Sequence, residues 1–181
     1  MSRIDLFPRQ FIDSRFWKDV PTWDMVSFCE THTVHDSWFD SAIQNDDGST
    51  TVLIQWDIHW NPTIPDQYAF LAIRFEKTYL NCWNTVSFGS IGSLEGAESV
   101  RLTAEEKAAL LEDPRFNLED YQGDDEDIAH PALANEVFNT RFDVFLGVLR
   151  ILHGKNVAFA TANPSGDILL LSENEIRPTT G

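Results

Sequence analysis

Basic residues are scarce in this chain. Thirteen Lys and Arg stand against 29 Asp and Glu over 181 residues, a formal net charge of −16. Nucleic-acid binders cluster Lys and Arg to displace phosphate counterions, so this balance argues against DNA or RNA as a direct ligand. Anionic lipid would repel the chain for the same reason. Cysteine is nearly absent. Cys29 and Cys82 fit no zinc or redox spacing and read as buried free thiols, behaving as small hydrophobes. Long apolar runs are missing, and none approaches the roughly 20 residues that cross a bilayer. Met1 to Pro8 has neither an apolar h-region nor a small-residue cleavage site. Together these gaps predict a cytoplasmic protein.

What the chain does have is core material. Apolar residues make up 43% and aromatics 12%, which sets it apart from a disordered acidic chain. The length predicts a single domain over 1–181. Residues 1–23 hold Phe7, Phe11, Phe16, Trp17 and Trp23 between Pro8 and Pro21. They are expected to form a lid, with one or two helical turns at Phe11–Trp17 laid over a sheet.

Period-two patterns follow. Met25–Val34 alternates and predicts a strand, and Ser37–Ile43 continues in extended form. Asn45-Asp46-Asp47-Gly48 predicts a hairpin turn, because Asp-Gly supplies the positive φ that a tight turn needs. The return strand, Thr51–Trp60, puts Val52, Ile54, Trp56, Ile58 and Trp60 on one face, which assigns both tryptophans to the core. Pro62 and Pro65 end it. Ala69–Glu76 and Cys82–Phe88 predict two more strands, and Gly89, Gly92 and Gly96 a loop. Strands without intervening helices predict an antiparallel sheet over 24–88.

Thr103-Ala104-Glu105-Glu106 is a capping box and opens a short helix that Pro114 stops. Phe138, Phe142, Phe145, Leu149 and Leu152 recur at four-and-three spacing, with Gly154 beyond them. This predicts a long buried helix over 132–153, while its Phe and Val content leaves a strand reading open. Val157–Thr161, Asn163–Gly166 and Ile168–Leu171 predict a closing hairpin. The expected fold class is α+β: an antiparallel sheet, one short and one long packed helix, and a C-terminal hairpin.

No motif identifies a reaction. A nucleophile elbow, a phosphate-binding glycine loop and an EF-hand pattern are all missing from the sequence. Ser27, Ser37 and Ser41 lie near His35 in sequence, but without a strained turn or oxyanion donors to support catalysis, and Cys29 or Cys82 with a histidine is equally generic. One constellation has metal-ligand chemistry: His35, Asp36, Asp57 and His59, if the hairpin register brings them level. A catalytic metal wants three such ligands and an open position. That cluster gives an alternative reading, a metal-assisted hydrolase. The leading reading implies no cofactor and leans away from an enzyme.

Acid is concentrated. Eight carboxylates and one arginine lie between Glu112 and Asp127. The stretch 112–130 is expected to be a hydrated loop, and Glu119, Asp120, Asp124, Asp125, Glu126 and Asp127 are its candidate partner-binding residues. A globule of this mass exposes roughly 9,000 Å². Evenly spread charge would place only about one or two net charges on a binding face of ~800 Å². A clustered field steers association; an even one does not.

His35-Asp36-Ser37-Trp38-Phe39, then the turn at Asn45–Gly48, then Thr51–Trp60, resembles the opening of small bacterial families that include immunity proteins of polymorphic toxin systems. The ending, Gly154-Lys155-Asn156-Val157 through Gly166-Asp167-Ile168-Leu169-Leu170, is similar to their closing hairpins. The acidic insert and the expected long helix depart from that pattern. The resemblance implies a protein without catalytic residues that neutralises a toxin by binding it, and acidic members suit basic nuclease toxins. The leading expectation is therefore a non-enzymatic acidic binding protein of immunity or inhibitor type with a basic toxin or nuclease as partner. A DNA-mimic inhibitor is a second alternative.

Overall fold

The computed structural model describes residues 6–85, 92–112, 136–145 and 147–172, with the backbone alone at 80–85 and 111. Along the chain come α1 (Ser14–Trp17), β1 (Thr22–Trp23), α2 (Met25–Thr31), β2 (Trp38–Gln44), β3 (Thr50–Gln55), β4 (Phe70–Phe75), β5 (Thr78–Thr85), β6 (Leu94–Arg101), α3 (Ala104–Leu111), β7 (Phe138–Val144), β8 (Gly147–His153), β9 (Val157–Ala162) and β10 (Ile168–Leu171). Short 3-10 turns at Arg9–Ile12 and Ile58–Trp60 complete the described elements.

The fold is α+β, and it contains two antiparallel sheets rather than one. The first has the order β1-β9-β4-β3-β2, and β10 also pairs with β9. Registers place β1 against Val157 and Ala158, and β10 against residues 159–162, so the two share one edge of β9. The second sheet has the order β5-β8-β7-β6. The β2–β3 hairpin turns where expected. Gly48 there holds φ +80°, a left-handed value that glycine takes without a steric penalty.

The first sheet is buried on both faces. Val52 and Ile54, Leu71, Ile73 and Phe75, and Val157 and Phe159 enter the main core with α2 and the inner face of the second sheet. Leu53, Ala72, Ala158, Ala160 and Ala162 point the other way, against Phe7, Phe11, Trp17 and Val20 of the N-terminal segment. Three alanines in a row on β9 let that segment sit close to the sheet. Within that segment Trp17 Nε1 donates to the Phe11 carbonyl at 2.9 Å.

Two stretches exchange helix for strand relative to expectation. Met25–Val34 is not a strand. Asp24 accepts from Val26 N at 2.8 Å and caps α2. Met25, Phe28 and His32 then share one buried face. The alternation was real, but the three-and-four spacing beneath it is what the open face of the sheet selects. Nor is there a long helix over 132–153. Of that range 136–145 and 147–153 are described, and they form the β7–β8 hairpin. Phe138, Thr140, Phe142 and Val144 are buried while Asn139, Arg141 and Asp143 are less so. Most of the apolar residues belong to the inner face of this hairpin, with Val137 and Leu152 packed in a smaller cluster, and Phe, Val and Ile favour a pleated surface. The expected one-short, one-long helix pair is thus replaced by three short helices among the described residues.

Gly96 stands in β6, at a register shift opposite Asp143, and not in the expected loop. Pro114 and the acidic stretch beyond Glu112 lie outside the described residues, as do Gly89 and residues 86–88. The short helix is as expected. Thr103 Oγ1 accepts from Glu106 N at 3.2 Å and Glu106 Oε2 accepts from Thr103 N at 2.7 Å. Thr103→Ala removes half of that box and should cost about 1 kcal/mol in chemical denaturation. A loss under about 0.3 kcal/mol would show that α3 holds by packing alone.

Candidate functional site

The four residues of the proposed metal cluster fall in one neighbourhood but not in one chelate. The chain leaves α2 at His32 and turns through Thr33–Asp36. Asn61 clamps that turn: its Oδ1 accepts from Thr33 N at 2.9 Å and its Nδ2 donates to the Thr33 carbonyl at 2.8 Å. Trp56 Nε1 donates to the same carbonyl at 2.7 Å. Asp36 takes φ +60°, a left-handed value that Asp tolerates better than most residues. Its amide donates to the Leu94 carbonyl at 3.0 Å, tying the turn to β6.

His35 and Asp36 are adjacent, with Nε2 3.4 Å from Oδ1. His35 Nδ1 donates to the Glu95 carbonyl at 2.9 Å. Asp57 caps the 3-10 turn, accepting from His59 N at 3.0 Å. His59 packs its ring near Trp60, 5.4 Å between centroids. Among the described residues, no group of three or more His, Cys, Asp and Glu side chains gathers where it could hold a metal ion. The expected level register fails because β3 ends at Gln55, and Asp57 and His59 lie on a turn rather than a strand.

That early end also moves Trp60 out of the core. Trp56 is buried, as expected, while Trp60 is 50% exposed. Its Nε1 donates to Asp36 Oδ2 at 3.2 Å, and the His35 ring lies 5.8 Å away, edge to face. The result is a ledge: one half-exposed indole, pinned by a carboxylate and flanked by His35 and His59, with Asp36 about half exposed and Glu95 exposed nearby. Pattern reading missed Trp60 because it extended the strand by five residues. Asp57 followed two residues later by His59, before Asn61-Pro62, is the turn signal that was available.

Nucleophiles are no better supported. Burial and the carboxylates of Glu98, Asp24 and Glu30 push the Cys29 thiol up to about 12, so it stays protonated and unreactive at neutral pH. Cys29 is on a helix, not a strand. Cys82 pairs with Arg150 through the β5 backbone. Ser37 is buried and its Oγ accepts from Asp57 N at 2.9 Å. Glu119, Asp120, Asp124, Asp125, Glu126 and Asp127 lie outside the described residues. No helix among the described residues is long and apolar enough to cross a membrane. Searches against protein-family models, curated proteins and solved structures find no match to this chain.

Proposed function

We propose that this chain is a binding protein that docks a basic protein partner, in the manner of an immunity or inhibitor protein. The observation that carries the reading is the exposed Trp60 on its carboxylate-flanked ledge. An indole held in place loses little conformational freedom on binding, and Trp is enriched among residues that dominate interface energy. Asp36 beside it suits Lys or Arg, and a cation over the indole face adds attraction. The acidic sequence between Glu112 and Asp127 strengthens the same preference over a longer range.

The test is affinity capture from the cells that make the protein, at low and high salt, followed by titration with the retained partner. A basic protein should bind and be released as ionic strength rises. Trp60→Ala should weaken it about thirtyfold, the ~2 kcal/mol of a hot-spot truncation. Replacing Asp124, Asp125, Glu126 and Asp127 by their amides should slow association and flatten its salt dependence. Failure to retain any basic protein, or retention that neither change affects, would refute the reading.

A further inference from the structure

Three of the four lysines in the chain line one cleft. Lys18 comes from the end of α1, Lys77 from the β4–β5 turn and Lys155 from the β8–β9 turn. With Arg74 of β4 they line a cavity of about 600 Å³. In a chain of net charge −16 this is a local reversal of sign. The lysines are exposed, whereas the Arg74 side chain is only 6% exposed. The sheet puts it there: Arg74 stands between Thr51 and Ala158 in the register, and both neighbours are small.

Arg74 is incompletely satisfied. Its Nη2 donates to Asp47 Oδ2. Glu76 Oε1 lies 3.8 Å from Nε, beyond hydrogen-bond reach, and the buried Nε has no hydrogen-bond partner among the described residues. Nε is closed off from solvent, so Arg74 serves the cleft through the charge it places in the wall, and that charge favours an anionic oxygen.

The charge count selects the ligand. Four cationic side chains line the cleft against two carboxylates, Asp47 and Glu76. Glu136, outside the lining, lies 3.8 Å from Lys155 Nζ but closer to Arg101, 3.3 Å from Nη1, and that outside pair offsets itself. An excess near two matches a phosphate monoester, which carries about −1.5 to −2 at neutral pH, better than a single carboxylate. Ser14, Thr22 and Asn156 add neutral polar groups, while Trp17 and Val20 add apolar wall. The volume falls in the ~300–1,000 Å³ range of small-molecule sites and exceeds what a bare phosphate fills. We infer that this cleft binds a small molecule carrying a phosphate monoester, with its phosphate among Arg74 and the lysines and its organic part along Trp17 and Val20. The site shares no residue with the Trp60 ledge and stands or falls independently of the docking reading.

Phenyl phosphate, inorganic phosphate and benzoate, titrated into the whole protein at constant ionic strength, separate the outcomes. Tryptophan fluorescence reports binding and Tm reports stabilisation. Phenyl phosphate should saturate and raise Tm, with the other two about tenfold weaker. The Lys18→Ala/Lys77→Ala/Lys155→Ala variant changes exposed residues only and should lose about thirtyfold in affinity. A single Lys77→Glu exchange should lose at least as much as Lys77→Ala and guards against a triple variant that folds poorly. Absence of saturation, equal binding of benzoate or inorganic phosphate, or wild-type affinity in the lysine variants would overturn the inference.

Discussion

Stability should fall steeply as pH drops from about 6.5 to 4, and two buried histidines should account for most of the fall. His32 and His153 are 6% and 1% exposed. Burial pushes each from an ordinary value near 6.5 down to about 4, and for His153 a hydrogen bond to the Gly154 carbonyl acts weakly in the other direction. Because the folded values are depressed, both rings are neutral in both states above about pH 7, and neither affects stability there. Between 6.5 and 4 the unfolded chain takes up protons that the folded chain refuses, so stability is lost as pH falls. Each ring should cost about 3 kcal/mol by pH 4, roughly 6 kcal/mol together. That is a large share of a domain stability of about 5–15 kcal/mol.

Local bonding explains why both rings stay neutral. The His32 ring stacks on Phe28 at 5.0 Å and lies near Trp23 and Trp56. The Thr31 hydroxyl donates to the Ser27 carbonyl, so His32 Nδ1 donates to Thr31 Oγ1 at 2.9 Å. Nε2 is left buried with no hydrogen-bond partner among the described residues, so a proton there would find no acceptor. His153 Nδ1 donates to the Gly154 carbonyl at 2.6 Å. Its Nε2 then accepts from Thr140 Oγ1 at 2.5 Å, and Ser99 Oγ lies 2.9 Å from that hydroxyl. Phe75 and Phe138 cover the ring. Urea unfolding at pH 7.5, 5.5 and 4.5 measures the slope. His32→Leu and His153→Gln should each remove about half of it. A flat profile, or a slope unchanged in both variants, would refute the assignment.

Phe159→Ala should destabilise the protein by about 3–5 kcal/mol. Phe159 is fully buried on β9, which is paired along both edges. Its ring lies 4.4 Å from Phe28, nearly parallel, and 4.6 Å from Trp23. It therefore joins α2, β1 and the sheet, and a cavity there has tightly packed walls that collapse poorly. The midpoint in urea should drop with the m-value unchanged. Phe145→Ala is the contrast: that ring is 57% exposed, and its loss should cost under about 0.5 kcal/mol. A loss under about 1 kcal/mol for Phe159 would mean that the cavity fills by rearrangement.

The sequence by itself determined the features written in local chemistry. Asp-Gly at 47–48 fixed the β2–β3 turn, Thr103 and Glu106 fixed the start of α3, and Asn163–Gly166 turned the final hairpin. Alternation at 70–75 and 157–162 located two inner strands of the first sheet. Each depends on residues a few positions apart, so no partner is needed to read it. Tertiary structure decided where two periodicities compete. Met25–Thr31 carries both an alternating and a helical stripe, and the uncovered face of the first sheet selects the helix. Phe138–His153 carries an apolar pattern that serves a helix or the inner face of a hairpin, and pairing with β5 and β6 selects the hairpin. Both candidate sites were decided in the same way. Trp60 looks like core until β3 ends at Gln55 and the turn swings it outward. Lys18, Lys77 and Lys155 are isolated cations in an acidic sequence, and they meet only because three chain segments close over Arg74.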